Sequence, residues 1–437
     1  MIQQSLYEQV LDYANRANPY PLYAQLRQTP VTRQTDGSYV VSTYREIVSL
    51  LHDPRIGSDF RKRSVHDRPP AGLSTNKEHG FKNQAPKVGT EAAASNESSE
   101  TEVVPSFIGL DPPEHDRIRR QATWPFGPPH TPGRVADMEP ELICLANRQI
   151  DTMKGKSSID IVEDFAYPIP VTMISELLGV PPEDQARLHA LSEAIIEGID
   201  LDPQKSQEER KRRQEQSGQT FKDLEQYMEA LIERHRKHPG SDLLSGLITD
   251  YGPDGSMAQP DIVSTASLLL IAGHETTVNL ITNGMLTLLR HPDVLERLRR
   301  EPNLVIRLVE ELLRYEPPVQ ILPNRVALAD ITIAGTIIQK GSPVILLLAS
   351  GNRDAARFHD PDKFDLDRRG NIHLGFGSGI HYCYGAPLAR LETQIALTEL
   401  VRRLENPRLA YDPPPYRQSA TLRGPRHLTV KIDGVRD

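Results

Sequence analysis

Phe376-Gly377-Ser378-Gly379-Ile380-His381-Tyr382-Cys383-Tyr384-Gly385 sets one cysteine in a glycine-rich loop, just before a helical pattern. Glycine lets a backbone approach a bound group closely and take positive-φ turns that a Cβ would block. Such a loop suits a single thiolate ligand to a large flat cofactor. A thiolate on haem iron pushes electron density toward bound oxygen and favours O–O cleavage. Two other readings compete. Gly375-Phe-Gly-Ser-Gly379 looks like a dinucleotide loop, but that motif needs a strand before it, a helix directly after it and an acid about 20 residues on. Here the loop runs on through His381 and Cys383. A cysteine nucleophile activated by His381 fits the spacing and leaves the rest of the pattern unexplained.

Outward from the loop, Pro387 to Leu404 has helical spacing, and the tail from Tyr411 to Val435 reads as short strands. Upstream, after Tyr315-Glu-Pro-Pro318, short β-like runs follow: Arg325 to Ala329, Ile331 to Ile333, Thr336 to Ile338 and Ser342 to Leu348. Glycines punctuate them. Before that break, helical patterns dominate from Glu114 to Leu313. The longest starts at Pro260 and ends at Arg290, which is roughly 45 Å of helix at 1.5 Å per residue. Its centre, Leu268 to Ala272, is apolar on all sides, so it predicts a central buried helix. Near the N-terminus, Asp36-Gly37 between Val31–Arg33 and Tyr39–Ser42 is a hairpin signal. The chain therefore reads as one domain, 1–437, mainly α with small β-sheets. Residues 73–105 read as a polar, acidic insertion too poor in apolar surface to offset its ordering entropy.

Composition narrows the function. The net charge of −8 argues against general nucleic-acid binding. Two cysteines, Cys144 and Cys383, make no disulfide framework and no zinc pairing. The start carries neither a basic n-region nor an apolar h-region, and no run reaches the roughly 18 apolar residues of a membrane span. A cytoplasmic protein is expected.

Five segments resemble, in order, the motifs of the cytochrome P450 family, soluble bacterial type. They are Asp111-Pro-Pro-Glu-His115-Asp-Arg-Ile-Arg119, Ala272-Gly-His-Glu-Thr276, Glu311-Leu-Leu-Arg314, Phe364-Asp-Leu-Asp-Arg368 and the cysteine loop itself. His274-Glu275 also suggests a zinc helix, but H-E-x-x-H needs a second histidine where Val278 stands. The resemblance implies the P450 fold, with haem b held between the long central helix and the cysteine loop. It implies Cys383 as the iron ligand, with Phe376, Gly377 and Gly385 shaping its surroundings. His115, Arg119, Arg325 and His381 would meet the haem propionates, which need cationic or hydrogen-bonding partners. Glu275 and Thr276 would deliver protons to bound O2. Glu311 and Arg314, at i,i+3 on one helix face, would pair with Arg368 and brace the loop.

What this implies is a monooxygenase that oxidises a mostly apolar small molecule. With no segment suited to flavin or iron–sulfur binding, electrons would come from a ferredoxin or flavodoxin and an NAD(P)H-dependent reductase. Arg117, Arg120, Arg390, Arg402 and Arg403 are candidates for its docking patch. Ile271, Ala272, Val319, Ile321, Leu322 and Thr421 are the expected pocket lining. A monomer is expected. A peroxide-driven enzyme, a non-redox enzyme on the same fold and a haem sensor without turnover stand as alternatives. The Pro-rich turn at 124–132 and the insertion depart from the family pattern near the distal face.

Overall fold

A 32-residue helix, Gln259–Arg290, runs through the centre of the molecule, buried along most of its length. Pro260 stands in its first turn, where the missing N–H costs nothing. The computed structural model describes residues 4–62, 105–126, 133–198, 207–249, 252 and 254–437. The expected insertion, Pro105 apart, and residues 127–132 of the Pro-rich turn lie outside these.

Around the central helix, the larger apolar cluster joins Glu139–Asp151, Pro168–Leu177, Val305–Tyr315 and Ala386–Arg403. A second cluster joins Glu114–Phe126, Gln207–Lys237 and Leu243–Thr249 to the first half of the central helix. Each helix presents one apolar stripe to these clusters, which is what drives an amphipathic helix to pack. A five-stranded sheet lies beside them in the order Val31–Arg33, Tyr39–Val41, Pro343–Leu346, Leu322–Ala327, Ile56–Gly57. Tyr39–Val41 and Pro343–Leu346 pair in parallel; the other neighbours are antiparallel. The architecture is mainly α with small sheets, as the patterns predict. Several short elements escape the sequence reading, and two show why. One is the short helix Leu243–Thr249. The other is the strand Ser158–Asp160, which pairs with Thr429–Lys431 far along the chain. Three residues are too few to show an alternation of their own.

Among the described residues, no helix is long and apolar enough to cross a membrane.

Candidate haem site

The cysteine loop is shaped by its own backbone. Gly377 N–H donates to Leu374 O at 2.8 Å, and Cys383 N–H to Phe376 O at 2.9 Å. Gly379 has φ +72°, and a Cβ there would lie 2.2 Å from Leu51 O. Only glycine fits that position. Phe376 packs beside the cysteine with the Arg390 guanidinium 4.6 Å over its ring. Burial pushes the Cys383 thiol up. The N–H of Gly385, then Arg119, Arg390 and the N–H of Ala386, pull the other way. These are the groups that favour the thiolate once a metal displaces the proton.

Behind the loop, Glu311 and Arg314 form a buried bidentate pair, with contacts of 2.8 and 2.7 Å. Arg368 joins Glu311 at 3.2 Å, and Asp365 N–H donates to the same carboxylate at 3.0 Å. Arg314 also donates to the carbonyls of Asn352, Pro361 and Lys363. Asn352 carries the brace onward: its Oδ1 accepts from Leu374 N–H at 2.7 Å, at the root of the cysteine loop.

One edge of the site gathers positive and imidazole groups. The rings of His115 and His381 are 4.3 Å apart. His381 Nε2 meets Ser58 Oγ at 2.8 Å, and Arg119 donates to Tyr382 O at 2.5 Å. Burial first, then Arg325, His115 and Arg119, depress His381 to about 3. Burial likewise lowers buried Arg325 to about 10, opposed by Asp111. Buried His115 Nε2 and His381 Nδ1 make no hydrogen bond among the described residues. Buried polar atoms normally find partners. A cluster whose members repel one another and leave donors open fits a ligand with two carboxylates, as haem has. Ser58 was not legible as part of this cluster, because it comes from the segment after the first hairpin.

The central helix offers its accessible side chains in one stripe. Leu268, Ile271, Ala272 and Thr276 stay partly or fully accessible while their neighbours are buried. Thr276 Oγ1 donates to Ala272 O at 2.9 Å and Thr277 Oγ1 to Gly273 O at 3.3 Å. The helix remains unbroken through these back-bonds. Glu275 shares that face, one turn after Ile271. It is buried, and its Oε1 sits 2.8 Å from Nε of Arg417. Val319, Leu322 and Thr421 are partly accessible. Ile321 is not. Ile321 is wholly buried among Tyr7, Val10, Tyr20 and Leu347. It therefore does not line the pocket.

Each arginine of the expected docking patch has a carboxylate partner. Arg117 pairs with Asp261 at 3.1 Å, Arg120 with Asp254 at 2.8 Å, Arg390 with Glu310 at 2.6 Å and Arg402 with Glu399 at 2.6 Å. Arg403 is buried against Asp151. Carboxylates, most of them distant in sequence, neutralise these arginines.

Two further residues went unread in the sequence. Tyr384 ties the loop to Glu114–Phe126, donating to Ala122 O at 2.6 Å and stacking on Phe126 at 4.5 Å. Glu392 is buried on the helix that follows the cysteine and pairs with the Thr277 hydroxyl. Burial raises it to about 8. An acid one turn after Leu388, on that helix's apolar face, was its signal.

Helical fold, cysteine loop and cation cluster together define a haem-thiolate protein. A family model for cytochrome P450 matches residues 199–431. Cytochrome P450 CYP107DY1 of Priestia megaterium is 34% identical over 390 residues, 88% of each chain. A vitamin D(3) 25-hydroxylase of Pseudonocardia autotrophica is 34% identical over 424 residues, covering 95% of this chain and 94% of its own. The ligand-free crystal structure of Mycobacterium smegmatis CYP164A2 superposes with a TM-score of 0.82 at 34% identity, covering 98% of this chain and 99% of its own. The chain belongs to the cytochrome P450 family. It is a P450 monooxygenase, and haem iron is its cofactor.

Proposed function

We propose that Cys383 is the proximal iron ligand, with His115, Arg119, Arg325 and His381 seating the propionates. The observation that carries this assignment is the cation cluster with its two open imidazole nitrogens beside the cysteine loop. When bound, haem supplies the oxygen activation and the insertion of oxygen into a C–H bond. The chain's own residues do the rest. Gly385 N–H donates toward the sulfur and tunes the metal it would bind. Phe376 keeps water from the thiolate. Thr276 presents its hydroxyl on the accessible stripe, and Glu275, one residue earlier, is the acid that resupplies protons to it.

The substrate is a mostly apolar small molecule lying along Ile271, Ala272, Val319, Leu322 and Thr421. The apolar stripe supports this, as does the relative named for hydroxylating vitamin D(3). Electrons arrive from a ferredoxin or flavodoxin served by an NAD(P)H-dependent reductase. The enzyme works as a cytoplasmic monomer with a single domain.

Reduced protein under CO tests the ligand assignment. A strongly red-shifted Soret band is expected; an unshifted band in fresh protein would overturn it. Titration with an apolar library that includes vitamin D(3) then tests the substrate class. Spin-state shifts confined to polar or charged compounds would refute it.

A further inference from the structure

Glu310 stands one residue before the Glu311 brace, on the same helix Val305–Tyr315. Adjacent helical residues point about 100° apart, so Glu310 meets a different set of partners. Its two oxygens accept from Arg390 Nε at 2.6 Å and Nη2 at 3.0 Å. His373 Nε2 meets the same carboxylate at 3.0 Å. His373 is fixed from its other side too, where Nδ1 accepts from Gly375 N–H at 3.1 Å. With Nδ1 an acceptor, Nε2 carries the ring proton and donates it to Glu310. Burial alone would raise Glu310, but the hydrogen bonds from His373 and Arg390 overcome it and hold the acid at about 2. The carboxylate in turn pulls Arg390 well above the usual arginine range. Both groups are therefore ionised at neutral pH.

The pair reaches the cysteine through Arg390, which lies on Ala386–Arg403, the helix that leaves the cysteine loop. Its guanidinium sits 4.6 Å over the Phe376 ring, and Phe376 belongs to the apolar cluster against which Cys383 packs. Its third nitrogen, Nη1, donates to the Tyr382 hydroxyl at 3.3 Å. The cation is thus held by Glu310 on one side and by two aromatic residues of the cysteine loop on the other. Burial pushes the Cys383 thiol up, and Arg390 is among the charges that oppose it. The Glu310 and Arg390 side chains are 29% and 30% accessible. Partly buried charges are screened less than exposed ones, so this pair is felt at the sulfur.

We propose that Glu310 and Arg390 together set the electron affinity of the haem-thiolate centre. Arg390 supplies a fixed positive charge beside the cysteine loop. Glu310 is the positioning residue that fixes this charge there and partly cancels it. The potential of a metal centre follows from its ligand, the hydrogen bonds around that ligand, and local charge and burial. When the iron takes up one electron from the external donor, the centre gains one negative charge, and no bond in the pair is made or broken. A nearby cation favours that uptake and a nearby anion opposes it. The inference rests on Cys383 as the iron ligand and adds the charges that tune it.

The test uses the full haem-loaded chain as Arg390→Gln, Arg390→Lys, Glu310→Gln and the double variant Arg390→Gln/Glu310→Gln. The readout is the reduction midpoint of the iron in a spectroelectrochemical titration. Arg390→Gln lowers it, with about a tenfold loss in the reduction equilibrium, or about 59 mV for one electron. Glu310→Gln raises it. The double variant, which lacks both charges, returns to within about threefold of wild type on the scale where tenfold is 59 mV. Arg390→Lys keeps the charge but loses the planar fork and the stack, so it falls between wild type and Arg390→Gln. The C–O stretch of the reduced CO complex follows the same order. It drops in Arg390→Gln, where the sulfur gives the iron more electron density, and rises in Glu310→Gln. Opposite signs separate a charge effect from a structural one. If the pair only holds the loop in shape, both single variants move the midpoint the same way and the double moves it furthest. That result would overturn the proposal, as would single variants indistinguishable from wild type. The wild-type CO band keeps the two readings apart. Absence of its red shift would refute Cys383 as the ligand, whereas same-signed shifts with the band intact would refute the tuning alone.

Discussion

Glu311 behind the cysteine loop and Glu275 on the central helix are 1% and 2% exposed, yet their surroundings differ in kind. Glu311 meets Arg314 twice, Arg368 once, and the N–H of Asp365. Asn371 adds an amide donor at 3.2 Å. Both its oxygens are engaged, and the arginines spend their remaining donors on loop carbonyls. Glu275 faces an arginine whose nearest nitrogen is badly aimed. A saturated network fixes one geometry. Glu392, 1% exposed, completes the series: burial raises it to about 8, opposed by the Thr277 hydroxyl.

The largest effect belongs to the proximal side. Cys383→Ala removes the thiolate, so the red-shifted CO band and the turnover should both vanish while the helical content stays. Retention of that band would mean another ligand, and the rigid half of the comparison would lose its purpose. Glu311→Gln comes next. It keeps the shape but strands Arg314 and Arg368 in a buried site, a loss of about 3–5 kcal/mol. A lowered urea midpoint and faster haem loss to apomyoglobin are the measurements. A change within experimental error would show that the brace is no more binding than a surface pair.

How far the sequence discloses this contrast follows from where each side's partners come from. The cysteine loop is legible because its glycines and its ligand are neighbours, each answering a local backbone demand. Glu311 and Arg314 are legible because helical spacing puts them on one face, and Arg368 follows by resemblance. The cation cluster is partly legible: His115, Arg119, Arg325 and His381 carry motifs, while Ser58 does not. Arg417 is invisible, because nothing local in the 416–425 hairpin says that it reaches the central helix. Ile321 misleads for a similar reason, since an apolar residue beside a pocket strand can face either cluster. The five arginines are legible only as charge, because a sequence does not show the carboxylate that folding sets beside a cation.

Glu392 sharpens the comparison through pH. Its folded value of about 8 lies above the ordinary glutamate value of 4.5. Between those two values the folded protein binds more protons than the unfolded chain, so stability falls as pH rises. The contribution is fully present below about pH 4.5 and is lost as pH passes 8, with an upper bound of roughly 5 kcal/mol at 1.36 kcal/mol per unit. Glu392→Gln should flatten that slope and leave the variant the more stable protein at pH 8.5. The measurement is the urea midpoint from pH 6 to pH 8.5. Parallel curves for both proteins would mean that Glu392 is ionised, and so has a counter-charge, when folded.

The smallest effect is expected at the surface. Arg120 is solvent-facing and already answered by Asp254 at 2.8 Å. Exposed pairs of this kind add little to stability and are screened by salt. Arg120→Ala should therefore leave the unfolding midpoint unmoved and change the rate of reduction by a ferredoxin and its reductase less than twofold. Asp254→Asn is the informative partner. It leaves the arginine uncompensated beside the helix that carries His115 and Arg119, and an uncompensated cation there attracts an acidic protein over about a Debye length. A modest rise in reduction rate that disappears at high salt is expected. A large fall with Arg120→Ala would instead make this arginine a direct contact, engaged only after Asp254 lets it go. The ion pair with Asp254 would then be one that a partner's carboxylate can replace.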